Sequence, residues 1–428
     1  MNENAIGTEI YELAKELFPI CRSITGNGVR HTLNIIKRII PELNIIEVPT
    51  GTPCFDWIVP KEWNISDAYV IDPDGKKIID FKENNLHVMS YSVPIREKMG
   101  LEALQEHLYS LPDDPEAIPY RTSYYVERWG FCLSDKQRNT LKEGDYQVVI
   151  ESTLEPGHMT FGELILPGET DQEILLSTYI CHPSMGNNEI SGPSVTTFLG
   201  KWLTGLTSRR YTYRIIFIPE TIGAILYLSR NLDHLQRNVI AGFVVTCVGD
   251  NRNYTYLSSR QGDTLVDRVI QHVLGQIDPN YLVRNFQEHR GSDERQFCSP
   301  KVNLPVALLM RTRFGEFPEY HTSRDDLTVI SPEGLFGGYD ALRLCIVCLE
   351  GNRVYRNSIT CEPFLGSRGL RPDVGGVKTL GVYFRHISNL LALSDGKMDL
   401  LELSQRLQVP MWDLLKIVDV LVLKKLLE

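Results

Sequence analysis

The sequence predicts an α/β protein: a mainly parallel, mixed sheet flanked by helices, with a small β-rich domain inserted in it and a helical C-terminal domain. Three observations predict this. From about residue 122, apolar strand-like runs alternate with helix-like runs, the pattern of strands buried on both faces and joined by helical crossovers. Between about residues 53 and 120 the texture shifts to aromatic and β-branched runs, with Asp74-Gly75 as a turn signal. After about residue 358 the strand signal stops and three helix-like segments follow.

In chain order, residues 6–40 read as two amphipathic helical stretches on either side of "CRSITGNG". The inserted β-rich domain spans 53–123 and closes with "LPDDPEAIPYRTSYY", which is dense in punctuating residues. The core takes 1–52 and 124–357. Its strand candidates are "YQVVIESTL", "FGELILPG", "EILLSTYI", "YTYRIIFIP", "VIAGFVVTCVG" and "LPVALLMR". Its helix candidates are "SVTTFLGKWLTGL", "TIGAILYLSRNL", "TLVDRVIQHVLGQI" and "EGLFGGYDALRLCIVCLEGN". The connector "ITCEPFLGSRGLRPDVGG" opens the C-terminal domain, 358–428. There "MDLLELSQRL" and "VPMWDLLKIVDVLVLKKLLE" are spaced like a helix-turn-helix, with Pro410 suited to a first-turn position.

Composition excludes several function classes. A chain of 428 residues exceeds one ordinary core, and 43% hydrophobic with 23% charged residues is normal for a globular protein. A net charge of -10 argues against wrapping nucleic acid. From residue 376 onward, seven Lys and Arg less six Asp and Glu leave only +1, so the tail reads as a packing or dimerisation element, a route to a homo-oligomer. No apolar stretch of about 18 residues is free of charge, so no membrane partner is expected. The N-terminus has no basic segment before an apolar run, and the nine cysteines are odd in number and scattered along the chain. Both features point to a cytoplasmic protein with reduced thiols. Cys181, beside His182, reads as a small apolar strand residue in preference to a nucleophile or ligand.

In a parallel sheet, ligands sit beyond the carboxyl ends of the strands. There the sequence gathers polar residues from distant segments. His182 follows "EILLSTYI", with Asn188 and Glu189 just beyond it. Glu220 ends "YRIIFIPE", and Asp250 ends "GFVVTCVGD". Asp293 and Glu294 lie in "RGSDERQF", and His321 in "PEYHTSRDD". Each has a plain alternative: a loop histidine, an acid near a helix N-terminus, a solvated turn. Together, imidazoles and carboxylates are the ligands of zinc and the groups of general-base hydrolysis.

"SGPSV" after "CHPSMGNNEI", then "PETIGA", "GSDERQF" and "EYHTSRDDL", resemble in order and spacing the zinc-dependent aminopeptidase and glutaminyl-cyclase superfamily. More closely, the chain resembles bacterial aminopeptidase-domain proteins tied to polysaccharide biosynthesis, with a peptidase-like core, an inserted β domain and a C-terminal winged helix. The resemblance covers nearly the whole chain. It implies that His182 and His321 are metal ligands, that Glu220 is the general base and that Asp293 supports it. Asn188 stands where a metal-bridging Asp is usual, with Glu189 next to it. Thr221 replaces a second Glu. Thr246 replaces a strand-end Asp, although Asp250 lies four residues on. A bridging carboxylate holds two like-charged ions together, so its replacement implies one zinc ion rather than two. His182, His321 and a carboxylate from Glu189 or Asp250 would hold that ion. Asp293, or Glu294 beside it, would bind a substrate amino group. The implied activity is hydrolysis of an amide in a small peptide or aminoacyl-like substrate. Two other readings remain: a peptidase-like binding module in polysaccharide biosynthesis, and a regulatory protein with a helix-turn-helix tail.

Overall fold

The computed structural model describes residues 3–370 and 378–428, so the end of the connector lies outside the described residues. The chain divides into two compact units: Met1–Val266 with Tyr281–Asp340, and Asp267–Asn280 with Ala341–Glu428.

The first unit is built on an eight-stranded sheet. Its spatial order is Asn44–Pro49, His158–Leu166, Thr212–Ile218, Glu173–Tyr179, Val239–Val244, Val306–Met310, Thr255–Leu257 and Leu282–Arg284. The four central strands are parallel, and antiparallel pairings occur on either side of them. Glu173–Tyr179 and Val306–Met310 are buried at every residue, as strands covered on both faces must be. Their apolar runs are therefore what made them legible in the sequence. The short strands Thr255–Leu257 and Leu282–Arg284 carry too few residues to show a period. Helix Ser191–Thr204 follows the Glu173–Tyr179 strand closely. A Cβ at Gly192 would come within 2.5 Å of the Val245 carbonyl oxygen, so only glycine lets this helix start against the neighbouring strand end.

The insertion forms its own four-stranded antiparallel sheet around Glu62–Ile71, with Lys77–Asp80, Asp145–Glu155 and Ile95–Gly100. Ala68, Val70, Val148, Ile150 and Phe131 fill a separate small core beneath it. One expectation needs correction here. The run "YQVVIESTL" was assigned to the core sheet, yet Asp145–Glu155 pairs with Glu62–Ile71 and Ile95–Gly100. An alternating strand declares its buried face but not its partners. The insertion's sheet thus reaches Glu155, beyond the expected limit at residue 123.

In the second unit, Val354–Arg356 pairs antiparallel with Asp395–Asp399, and helices Lys378–Leu393, Leu400–Leu407 and Met411–Leu423 pack together. Asp399 and Glu402 form a capping box at the start of Leu400–Leu407. Pro410 sits just before Met411–Leu423. That helix ends before Lys424, so the last residues of the sequence-predicted third helix lie outside it. Among the described residues, no helix is long and apolar enough to cross a membrane.

Candidate active site

The strand ends set the site's floor. Glu173–Tyr179, Thr212–Ile218, Val239–Val244 and Val306–Met310 run in the same direction, so the segments after them all leave one edge of the sheet. His182 follows the first of these strands. A single π-helical turn, Gly186–Ile190, then carries Asn188 and Glu189 into the interior. Such turns widen the helix by one residue and recur at functional sites.

His182 is buried, and its two ring nitrogens face different partners. Nδ1 lies 2.9 Å from Glu189 Oε2, while Nε2 lies 3.6 Å from Glu220 Oε2. Arg22, also buried, donates from Nε to the His182 carbonyl at 3.1 Å and approaches Glu189 Oε1 at 3.6 Å. Burial opposes charge on His182, while the Glu189 carboxylate hydrogen-bonded to it favours the charged form and raises the imidazole above its ordinary range. Burial pushes the Cys181 thiol up to about 11, so it is a protonated thiol at neutral pH and no nucleophile. Cys181, His182 and Glu189 place potential ligand atoms within 4.8 Å of one another. The Arg22 guanidinium already occupies that inner side, and a second cation there would meet its repulsion. Nε2 is the face left for a metal.

Glu220 lies two residues past the end of strand Thr212–Ile218, with its side chain 21% exposed, the most open of the acids here. Ser292 Oγ donates to its Oε1 at 3.0 Å. Thr221 follows with φ 63°, a strained value for a β-branched residue. Its N–H donates to Asp293 Oδ1 at 2.7 Å, and Arg295 donates to its hydroxyl at 2.8 Å. Asp293 is fully buried, and its Oδ2 has no hydrogen-bond partner. Burial, then the Glu220 charge, push its carboxyl well above the usual range. Glu294 is also raised by burial, and both of its oxygens accept from the Gly291 and Ser292 amides. Glu294 therefore holds its own loop rather than facing a substrate.

His321 comes close to His182, with ring centroids 5.4 Å apart. It too has a left-handed backbone, φ 57°. Burial, and then the charge of His182, push it down to about 3, so it is a neutral imidazole. Tyr320 stacks on it at 3.9 Å, and Tyr120 meets it edge-on at 5.2 Å. Tyr120 belongs to the part of the insertion between strands Ile95–Gly100 and Asp145–Glu155, which runs beside the His321 loop. The Tyr120 N–H donates to the His321 carbonyl, the Ser323 N–H to the Ile118 carbonyl, and Arg324 pairs with Asp114. The insertion thereby walls the site.

Two expected ligands are otherwise engaged. Asp250 Oδ1 accepts from the Arg252 amide and Thr312 Oγ1, and Oδ2 from Asn187 Nδ2 and the Thr312 amide. Four donors fill a carboxylate's lone-pair sites, so Asp250 ties loops together. Glu189 is turned to Nδ1 of His182 and stands behind it. Asn188 donates from Nδ2 to Tyr179 Oη at 2.8 Å, while its buried Oδ1 has no protein partner. Thr246 bonds Tyr179 and the Asn188 carbonyl.

The sequence reading missed Arg22, Tyr120, Tyr320, Ser292 and Asp325. Asp325 accepts the Asn187 and Asn188 amides, and burial raises it to about 7. Only Arg22 left a signal, a lone cation in the apolar "FPICRSI".

The fold is of the aminopeptidase-like α/β class. A zinc aminopeptidase from Bacillus subtilis shares the fold, with TM-score 0.59 and 11% identity over 80% of this chain and 94% of that one. A crystal structure from Clostridium acetobutylicum superposes with TM-score 0.92 and 46% identity, covering 100% of this chain and 97% of that one. The chain belongs to the family described as "Domain of unknown function (DUF4910)", whose model matches residues 11–352, and a winged helix-turn-helix model matches 353–428. A C. acetobutylicum relative named as a polysaccharide biosynthesis protein with aminopeptidase-like domain is 48% identical over 406 residues, 95% of this chain and 92% of its own length.

Proposed function

We propose that the chain is a metal-dependent hydrolase of aminopeptidase type, cleaving an amide in a small peptide or aminoacyl-like substrate. The observation that carries this is the pairing of His182 Nε2 with Glu220 Oε2 at 3.6 Å, beside the neutral imidazole of His321. The residues present fit one ion. His182 Nε2 and the His321 imidazole would hold it, with Glu189 fixing the His182 tautomer from behind, and Asn188 Oδ1 is the unpartnered oxygen of the same loop that could join them. They do not fit two, because Asp250 is saturated and Thr221 and Thr246 bring only engaged hydroxyls.

A divalent ion so held supplies a Lewis acid for the amide carbonyl and acidifies water. Glu220 Oε2 takes the proton of the attacking water, and the Ser292 hydroxyl on Oε1 keeps that carboxylate oriented. Glu220 then returns the proton to the leaving amine. Buried Asp293 fixes the Glu220–Thr221 turn through the Thr221 amide. Tyr120 and Tyr320 flank the imidazoles and exclude water from them.

The donor set also supports a second reading, a peptidase-like binding module, because it lacks any carboxylate ligand. Hydrolysis of aminoacyl anilides, followed through chelation and metal restoration, separates the two. Activity lost and regained supports the hydrolase; none in any metal state supports the binding module.

A further inference from the structure

The arginines around the proposed centre have their charge matched by an acid, with one exception. Arg22 lies against Glu189, Arg252 pairs with Glu319, Arg313 with Glu316 and Arg324 with Asp114. Arg295 differs. Its Nη2 donates to the Thr221 hydroxyl at 2.8 Å, and among the described residues it makes no ion pair. Its side chain is exposed, in a loop whose neighbours are otherwise buried: Ser292, Asp293, Glu294 and Phe297.

Acids stand close by, yet each is turned to another donor. Glu220 Oε1 takes the Ser292 hydroxyl, Asp293 Oδ1 takes the Thr221 amide, and Glu294 takes the Gly291 and Ser292 amides. None of them closes on the guanidinium. An exposed arginine ordinarily samples many rotamers. This one is tied instead to the residue that directly follows the base. Thr221 is itself held from two sides, its amide by Asp293 and its hydroxyl by Arg295, in a left-handed backbone at φ 63°. The cation therefore has a fixed place beside Glu220 and no counter-charge in the protein.

The chemistry of that group decides what it would take. A guanidinium has N–H donors to spare after one is given to Thr221, and its planar fork matches a carboxylate. A positively charged group would be repelled there, and a neutral one would displace water for little gain. A phosphate dianion would bring a second negative charge up to Glu220, where a carboxylate brings one. Thr221 and Glu220 are adjacent in the chain, so an anion on Arg295 and an amide at Glu220 fit within one small molecule. We infer that Arg295 is a specificity-determining residue that binds a carboxylate of the substrate, beside the amide cleaved at Glu220. The inference rests on the hydrolase reading for its reaction, though not for the binding of the carboxylate. That carboxylate has two sources in such a substrate: an acidic side chain on the acyl part, or the free α-carboxylate of the leaving amine.

The test uses the full chain and two pairs of substrates that differ only in charge. Glutamyl and glutaminyl anilides vary the acyl part; leucylglycine and leucylglycinamide vary the leaving amine. The anionic member of one pair should be preferred in kcat/KM, and the pair that shows the preference identifies the source. Arg295→Gln should reduce that preference at least about tenfold, the usual worth of a hydrogen bond between charged groups. Arg295→Lys should keep part of it, and so should Thr221→Val, which leaves the cation and removes its tether. Binding is read apart from hydrolysis by calorimetry with glutarate, against uncharged glutaramide. Glutarate alone should bind, at least about tenfold more weakly in Arg295→Gln at equal metal content. No preference in either pair, a preference unchanged in Arg295→Gln, or equal binding of glutarate and glutaramide overturns the proposal. The comparisons within the unaltered protein decide it even if a variant misfolds. Glutarate binding that depends on Arg295, with no amide cleaved in any metal state, keeps the carboxylate site and removes the hydrolase reading; cleavage that ignores the charge of both pairs does the reverse.

Discussion

Glu189 Oε2 sits 2.9 Å from His182 Nδ1, and its other oxygen is 3.6 Å from the buried Arg22 guanidinium. The carboxylate is thereby shared between an imidazole it orients and a cation that balances its charge. A histidine so held presents Nε2 in one tautomer and one direction, which is what a metal or a reacting proton requires.

Glu189→Gln keeps the shape and removes the charge. It should weaken metal binding at His182 by about 10- to 100-fold. It should also cost on the order of 3 kcal/mol of stability, because Arg22 is left buried and unpaired. Metal titration and denaturant unfolding read the two effects separately. In a double-mutant cycle with Arg22→Met, the pair should lose less stability than the sum of the single changes. Strict additivity would show that the two groups do not act together.

Asn188→Asp tests whether the ligand set is short of charge. A carboxylate in place of the unpartnered Asn188 Oδ1 should tighten divalent binding on the order of tenfold or more. Zinc competition against a chromogenic chelator measures it. Unchanged affinity would mean that Asn188 does not face the ion.

The second unit offers a pH test remote from the site. Burial depresses His272 from 6.5 to about 4, and its Nε2 accepts the Met411 N–H at the start of the last helix. An imidazole whose folded pKa lies below its unfolded value contributes stability that is complete above about 6.5 and is lost as pH falls toward 4. The melting temperature should therefore decline through that window on acidification. His272→Gln keeps an acceptor without titrating, so its decline should be shallower. Parallel curves would assign the acid loss to other groups.

Much of the fold was legible because burial writes itself into residue type. Glu173–Tyr179 and Val306–Met310 are apolar runs because both of their faces are covered. His182, Glu220, Asp293 and His321 were found as polar residues at strand ends or in the loops beside them. Pairing and hydrogen-bond occupancy are not written locally. Asp145–Glu155 joined the insertion's sheet, and Asp250 is filled by the Asn187, Arg252 and Thr312 donors that the chain brings to it only on folding. Tyr120 reaches the imidazoles because Ile118–Ser323 and Tyr120–His321 backbone bonds lay this segment of the insertion across the site.

The most direct measurement compares Glu220→Gln with His182→Ala, reading metal content and amide hydrolysis on the same samples. A base that is not a ligand should leave metal bound when removed while hydrolysis falls by about two to four orders of magnitude. His182→Ala should lose the metal and the activity together. If Glu220→Gln hydrolyses amides as well as the unaltered protein, or His182→Ala retains its full metal complement, the His182–Glu220 pair is not the hydrolytic centre.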